Sequence, residues 1–128
     1  MSEKARILIV DDEDRFRKTL KKNLQLEGFF VDDASSGSQA LEKLSGSSYD
    51  VVLLDIRMPG MNGITALEKI KQMSPQVEVI VLTGHASVDV AVKIMQLGGY
   101  EYCLKPCDVK DLISKIEHSM EKKVRSNK

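Results

Sequence analysis

Five short apolar runs punctuate the chain: residues 5–10 (ARILIV), 29–34 (FFVDDA), 50–54 (DVVLL), 77–82 (VEVIVL) and 100–104 (YEYCL). Their richness in Val, Ile, Leu and aromatic residues predicts strands. Between them, apolar positions recur every three or four residues, the period of a helix with one face on a core. Phe16, Leu20 and Leu24 mark the first such stretch, with Arg15, Arg17, Lys18, Lys21 and Lys22 on its other faces. Ala40, Leu41 and Leu44 mark the second, and Ile64, Leu67 and Ile70 the third. Ala91, Ile94 and Met95 mark the fourth; Val109, Leu112, Ile113, Ile116 and Met120 mark the last. Gly28 suits the stop of the first helix. Ser87 and Asp108 suit the caps of the fourth and fifth.

Strict alternation of strand and helix predicts a parallel sheet with right-handed crossovers. Three strands are almost wholly apolar, as expected when helices cover both faces. The expected fold is α/β: a single doubly wound, five-stranded parallel sheet of order 2-1-3-4-5 with five helices, flavodoxin-like. A length of 128 residues fits one domain, and no repeat or linker interrupts it. The tail 121–128 (EKKVRSNK) is polar and basic, either a fraying helix end or the root of a linker.

Composition narrows the classes. Formal net charge is zero, so no global charge draws the chain to nucleic acid or membrane. No run approaches the roughly 18 apolar residues of a membrane span. The N-terminus lacks a small-residue cleavage site, so the cytoplasm is the expected compartment. Cys103 and Cys107 read as two reduced thiols, one inside a strand; zinc would need further soft ligands, and His85 and His118 are the only histidines.

In such a sheet, ligands bind beyond the carboxyl ends of the strands. The first strand leads there into Asp11, Asp12 and Glu13, and the third into Asp55. The fourth leads into Thr83 and Gly84, and the fifth into Lys105 and Pro106; the second contributes nothing comparable. Clustered carboxylates repel one another and invite a hard cation such as Mg²⁺ (or Mn²⁺), which prefers oxygen ligands and phosphate oxygens. Phosphoryl transfer asks for positioning and charge neutralisation. Lys105 can supply charge and Thr83 a hydrogen bond. Asp55, on the central strand, is best placed as a nucleophile forming an acyl phosphate. Pro59, Gly60, Asn62 and Gly63 then turn the chain away and clear space for a ligand.

The segments ILIVDDE, DVVLLDIRMPGMNG, VIVLTGHA and GYEYCLKP stand in the order and spacing of the receiver domain of bacterial two-component response regulators, which residues 5–120 resemble. The resemblance implies that Asp55 accepts a phosphoryl group from a histidine kinase or phosphotransfer protein. It implies that Asp12 binds Mg²⁺ directly, Asp11 through water, and Arg57 through its backbone carbonyl. Thr83 and Lys105 would contact the phosphoryl group, and the Lys105–Pro106 bond resembles the family's cis peptide. Tyr102 stands at the family's switch aromatic, moving with Thr83 to reshape the face of the fourth helix, fifth strand and fifth helix. The stretch LTGHASVDVAVKIMQLGGYEYCLKP is most similar to receivers of enhancer-binding transcription activators, where ATPase and DNA-binding modules follow. Neither module lies within these 128 residues. Gly99 stands where alanine is common, and Cys107 where phenylalanine is common.

The expected function is therefore a phosphorylation-controlled switch, with no enzyme activity beyond its own phosphorylation and dephosphorylation. Expected partners are the phosphodonor protein, an output domain or protein and a second copy, with no direct nucleic-acid or membrane binding. Val88, Val90, Ala91, Val92, Ile94, Met95 and Leu97 surround nearly the whole fourth helix, which points to homodimerisation or to packing under loops. The basic residues of the first helix read as a solvated face or a docking rim. His85 reads as a loop residue near the site and His118 as a surface residue. Two other functions compete: a receiver-shaped docking module that takes no phosphate, and a Mg²⁺-dependent phosphohydrolase of the haloacid dehalogenase type with Asp11 as nucleophile. The intact acids and Lys105 weigh against the first. The absence of a threonine beside the Asp11–Asp14 run and of room for a substrate cap weighs against the second.

Overall fold

The computed structural model describes residues 5–57, 63–84, 88–105 and 107–126. Five strands, β1 (Arg6–Val10), β2 (Phe30–Ala34), β3 (Val51–Asp55), β4 (Glu78–Thr83) and β5 (Glu101–Leu104), alternate with five helices. The helices are α1 (Asp14–Leu26), α2 (Gly37–Gly46), α3 (Gly63–Met73), α4 (Val88–Gln96) and α5 (Val109–Ser126). All pairings are parallel and the strand order is β2-β1-β3-β4-β5, as the alternation predicts. Among the described residues no helix is long and apolar enough to cross a membrane.

Side chains alternate across the sheet and build two separate cores. Leu8, Val10, Val52, Leu54, Val79 and Val81 face α2, α3 and α4, where Ala40, Leu67, Ile70 and Ile94 meet them. Ile7, Ile9, Val51, Leu53, Ile80 and Leu82 face α1 and α5, where Leu20, Leu24, Leu112 and Ile116 meet them. Burial on both faces explains why β1, β3 and β4 are almost wholly apolar.

Local chemistry sets the boundaries. Gly28 closes α1 with φ 97°, in the left-handed region. The Ser36 hydroxyl accepts the Gln39 N–H at 3.1 Å while the Gln39 side chain accepts the Ser35 N–H at 2.7 Å, a reciprocal cap on α2. The Asp108 carboxylate accepts the Lys110 N–H at 3.0 Å before α5, as the cap reading predicts. Ser87, the other predicted cap, lies outside the described residues, as do Pro59, Gly60, Asn62, His85 and Pro106. Gly99 leaves room for Ile94: a Cβ there would stand 2.5 Å from the Ile94 Cγ2.

One surface expectation changes. Arg17 is only 7% exposed and so does not belong to the solvated basic face, which Arg15, Lys18 and Lys22 keep. On α4, Ile94 is fully buried and Val90, Ala91 and Leu97 partly so. Val92 and Met95 stay exposed, as does Leu104 on β5. His118 is on the surface of α5, edge-on to the Tyr100 ring at 6.2 Å.

At the other end of the sheet the Tyr49 hydroxyl donates to Asp32 Oδ2 at 2.6 Å. Burial, then the Asp32 carboxylate, pushes the phenol up to about 12 from its ordinary 10.0. The unfolded chain therefore ionises first, and the stability this group contributes below pH 10 is lost as pH rises through about 12. Urea denaturation on either side of pH 10 should show this fall, and Tyr49→Phe should flatten it. Parallel curves for the two proteins would disprove the assignment.

Candidate functional site at the carboxyl edge of the sheet

Asp11 follows β1 directly, and its N–H still pairs with the Ala34 carbonyl of β2 at 3.1 Å. That bond holds a fully buried carboxylate at the mouth of the sheet. Asp11 Oδ1 accepts the Glu13 N–H at 2.9 Å and Oδ2 accepts Lys105 Nζ at 2.8 Å. Asp12 is exposed. Asp55 is the last residue of β3 and only 5% exposed. Its Oδ1 accepts the Arg57 N–H at 3.1 Å, and its Oδ2 lies 3.5 Å from Lys105 Nζ. One carboxylate oxygen from each of Asp11, Asp12 and Asp55 falls within 4.8 Å of the others.

Thr83 ends β4, buried, and its carbonyl accepts the Lys105 N–H at 2.8 Å. That bond fixes the start of the Lys105 side chain, which reaches back over the edge to Asp11 and Asp55. The Lys105 ammonium also lies 4.4 Å over the Phe16 ring, a cation–π contact, and 4.0 Å from Glu13 Oε1. Gly84 follows Thr83 with open space where a side chain would begin. Tyr102 stands opposite Val81 and packs, half-buried, on the α4 side.

Burial, and then the charge of Asp11, lifts the Asp55 carboxyl above its ordinary value against the opposing Arg57 N–H and Lys105. Burial alone would lower Lys105, but the hydrogen bond and charge of Asp11, joined by Asp55, carry it above the usual lysine value. The lysine is therefore a fixed cation facing a carboxyl that is costly to ionise.

The predicted acids, Thr83 and Lys105 thus converge on one edge. Sequence reasoning missed the brace behind them. Arg17 Nη1 donates to the Asp11 carbonyl at 2.8 Å, Nε to Asp33 Oδ2 at 2.6 Å, and Nη2 pairs with Asp14 at 2.8 Å. Lys21 adds a 3.0 Å contact to Asp33. The second strand therefore does contribute to the edge, through Asp33. The signal lay in the spacing: Arg17, Leu20 and Leu24 share one stripe of α1, the buried one. Arg17→Met should cost about 2 kcal/mol, since the buried Asp11 carbonyl loses its donor. Burial alone would raise Asp33, but Arg17 and Lys21 hold it below its ordinary 3.8. Its stabilising contribution is present above that value and lost as pH falls through the lowered one, so the acid limb should also flatten in Arg17→Met. Urea midpoints at neutral and acid pH check both effects.

Fold and edge together define a doubly wound α/β domain with an acid-and-lysine pocket at its carboxyl edge. The chain belongs to the response regulator receiver domain family, whose model matches residues 7–117. It is 39% identical over 125 residues to the regulatory protein AtoC of Escherichia coli K12, covering 94% of this chain and 27% of that protein. It is 34% identical over 123 residues to the C4-dicarboxylate transport transcriptional regulatory protein DctD of Rhizobium meliloti, covering 96% and 27%. The chain thus spans about a quarter of the length of these curated relatives. Among solved structures, it superposes with a TM-score of 0.92 on a CheY-like response regulator receiver domain protein from Methanospirillum hungatei, at 33% identity, covering 98% of this chain and 99% of that one. The receiver-length part of NtrX from Brucella abortus matches with a TM-score of 0.89 at 30% identity, covering 96% of this chain and 28% of that one.

Proposed function

We propose that the chain is a phosphorylation-controlled switch in which Asp55 accepts a phosphoryl group from a histidine kinase or phosphotransfer protein. The observation that carries this reading is the Lys105 ammonium held between Asp11 and Asp55, beside three carboxylates whose oxygens lie within 4.8 Å of one another.

The donor set suits Mg²⁺: hard oxygens, two of the three carboxylates buried and one open to solvent. Asp11, Asp12, Asp55 and the Arg57 backbone carbonyl would hold it. Bound there, the ion would supply positive charge to the phosphoryl oxygens. An Asp55 oxygen forms the new bond to phosphorus as the donor's bond to phosphorus breaks. The Arg57 N–H holds Oδ1, so Oδ2 is the oxygen on the lysine side. Lys105 then exchanges its Asp55 contact for a phosphoryl oxygen, and the Thr83 hydroxyl donates to another. Thr83 ends β4 and Tyr102 stands on the neighbouring β5, opposite Val81 and on the α4 side, so a shift of the first is passed to the α4 side by the second. The altered α4-β5-α5 face would control an output domain or protein, or pairing with a second copy.

On this reading residues 1–128 form one cytoplasmic receiver, with 121–128 a polar tail or the root of a linker. It makes no direct contact with nucleic acid or membrane and has no catalytic activity beyond its own phosphorylation and dephosphorylation. The peptide of the predicted cis bond includes Pro106, outside the described residues.

The test is intact and peptide mass after incubation with acetyl phosphate, with Mg²⁺ or with chelator. One Mg²⁺-dependent phosphoryl group mapped to the Asp55 peptide is the expected result. Phosphate on another residue, or none at all, would overturn the proposal.

A further inference from the structure

The proposed transfer asks Lys105 to let go of Asp55 and take a phosphoryl oxygen. Its ammonium rides on a flexible four-carbon stem, so something must keep it over the pocket while it changes partners. The acids hold it from within: Asp11 Oδ2 lies at 2.8 Å and Asp55 Oδ2 at 3.5 Å. On the outer side stand Glu13 Oε1 at 4.0 Å, on a side chain 67% exposed, and the Phe16 ring, whose centroid is 4.4 Å from Nζ. A cleft lined by Glu13, Arg15, Phe16, Thr19 and Lys105 opens there. The ring is anchored. Phe16 is half-buried against the core that α1 and α5 cover, on the stripe of Leu20 and Leu24. The next residue, Arg17, ties this turn of α1 to the Asp11 carbonyl and to Asp33.

We propose that Phe16 is a positioning residue for phosphoryl uptake, its ring holding the Lys105 ammonium over the pocket through the exchange, a role that rests on the function proposed above. The negative face of the ring attracts a cation without the directed lone pairs of a carboxylate. The ammonium can therefore slide from Asp55 to a phosphoryl oxygen and stay over the ring throughout. The ring also accepts none of the three N–H bonds in the way an anion would, so it does not compete with the phosphoryl oxygens for them. Glu13 acts the other way: its carboxylate draws the ammonium outward, toward solvent. Phe16→Leu keeps an apolar side chain against the core and removes the π face. It leaves the cleft and Glu13 as the outer neighbours of the ammonium, which then spends less of its time at the pocket.

The test uses the whole chain and its Phe16→Leu and Phe16→Tyr variants, and reads two things. One is the rate of uptake from acetyl phosphate at saturating Mg²⁺. The other is the NMR position of the Lys105 ε-methylene protons, assigned by their absence from Lys105→Arg. The ring should shift those protons upfield in wild type and in Phe16→Tyr, and Phe16→Leu should return them to the ordinary lysine position. Uptake should be roughly fivefold slower in Phe16→Leu, the loss of one cation–π contact, and near wild type in Phe16→Tyr. Unshifted Lys105 protons in wild type, full-rate uptake in Phe16→Leu, or an equal loss of rate in Phe16→Tyr would each overturn the proposal. The first and third of these hold even if Phe16→Leu does not fold. Wild-type protein that takes up no phosphoryl group would instead overturn the functional reading and with it the role of Phe16, while the lysine shift decides the ring contact separately.

Discussion

Asp55→Asn is expected to abolish phosphoryl uptake and, in metal-free buffer at neutral pH, to leave the protein more stable than wild type. The carboxyl of Asp55 is raised above its ordinary 3.8 by burial and by Asp11. A raised acid contributes stability that is fully present below the unfolded value and lost as pH climbs through the folded one. At neutral pH the folded chain therefore holds this charge at a cost. Asparagine keeps the shape, keeps an acceptor for the Arg57 N–H and removes the repulsion from Asp11. Lys105 loses a contact at 3.5 Å but retains the shorter one to Asp11 at 2.8 Å. Urea denaturation without metal should show the variant's midpoint above wild type, and added Mg²⁺ should narrow the gap. A variant that unfolds earlier without metal would mean that the lysine contact outweighs the burial, contrary to this account.

Gly63→Ala should cost about 3 kcal/mol or more, at the upper end of what overpacking does. A Cβ there would stand 2.2 Å from the Ile56 Cα and 2.6 Å from its carbonyl oxygen. Both are backbone atoms, so no rotamer change relieves the clash. Gly63 also donates its N–H to that same carbonyl at 2.9 Å, and the Ile56 N–H in turn pairs with Leu82 at 3.1 Å. The start of α3 is thus seated on the residue that follows Asp55. Relief must come from moving that segment, so phosphoryl uptake should fall together with the denaturation midpoint. Wild-type stability in Gly63→Ala would show that the segment yields freely.

Apolar periodicity read the elements well because each strand and helix is local and buried. Even the meeting of Lys105 with Asp11, 94 residues apart, followed from the rule that strand ends converge. Arg17 escaped because charge suggested solvent, whereas its position on the Leu20 and Leu24 stripe decided its burial. The pairing of Tyr49 with Asp32 and the seat of Gly63 on Ile56 depend on distances between separate segments. No residue type announces such an approach. The tail 121–128 reads as a fraying helix end or the root of a linker, and α5 extends through it to Ser126.

The two cores have a consequence for traffic around the molecule. α1 and α5 lie on one side of the sheet and α2, α3 and α4 on the other. The sheet is a wall with the pocket at its rim. A donor leaning on α1 and a receiver of the signal leaning on α4 would stand on opposite sides of that wall. A readout confined to α4 leaves the donor's side free, whereas one spanning α4, β5 and α5 reaches round the β5 edge onto it, so how far the readout extends over α5 sets whether delivery and readout can overlap in time.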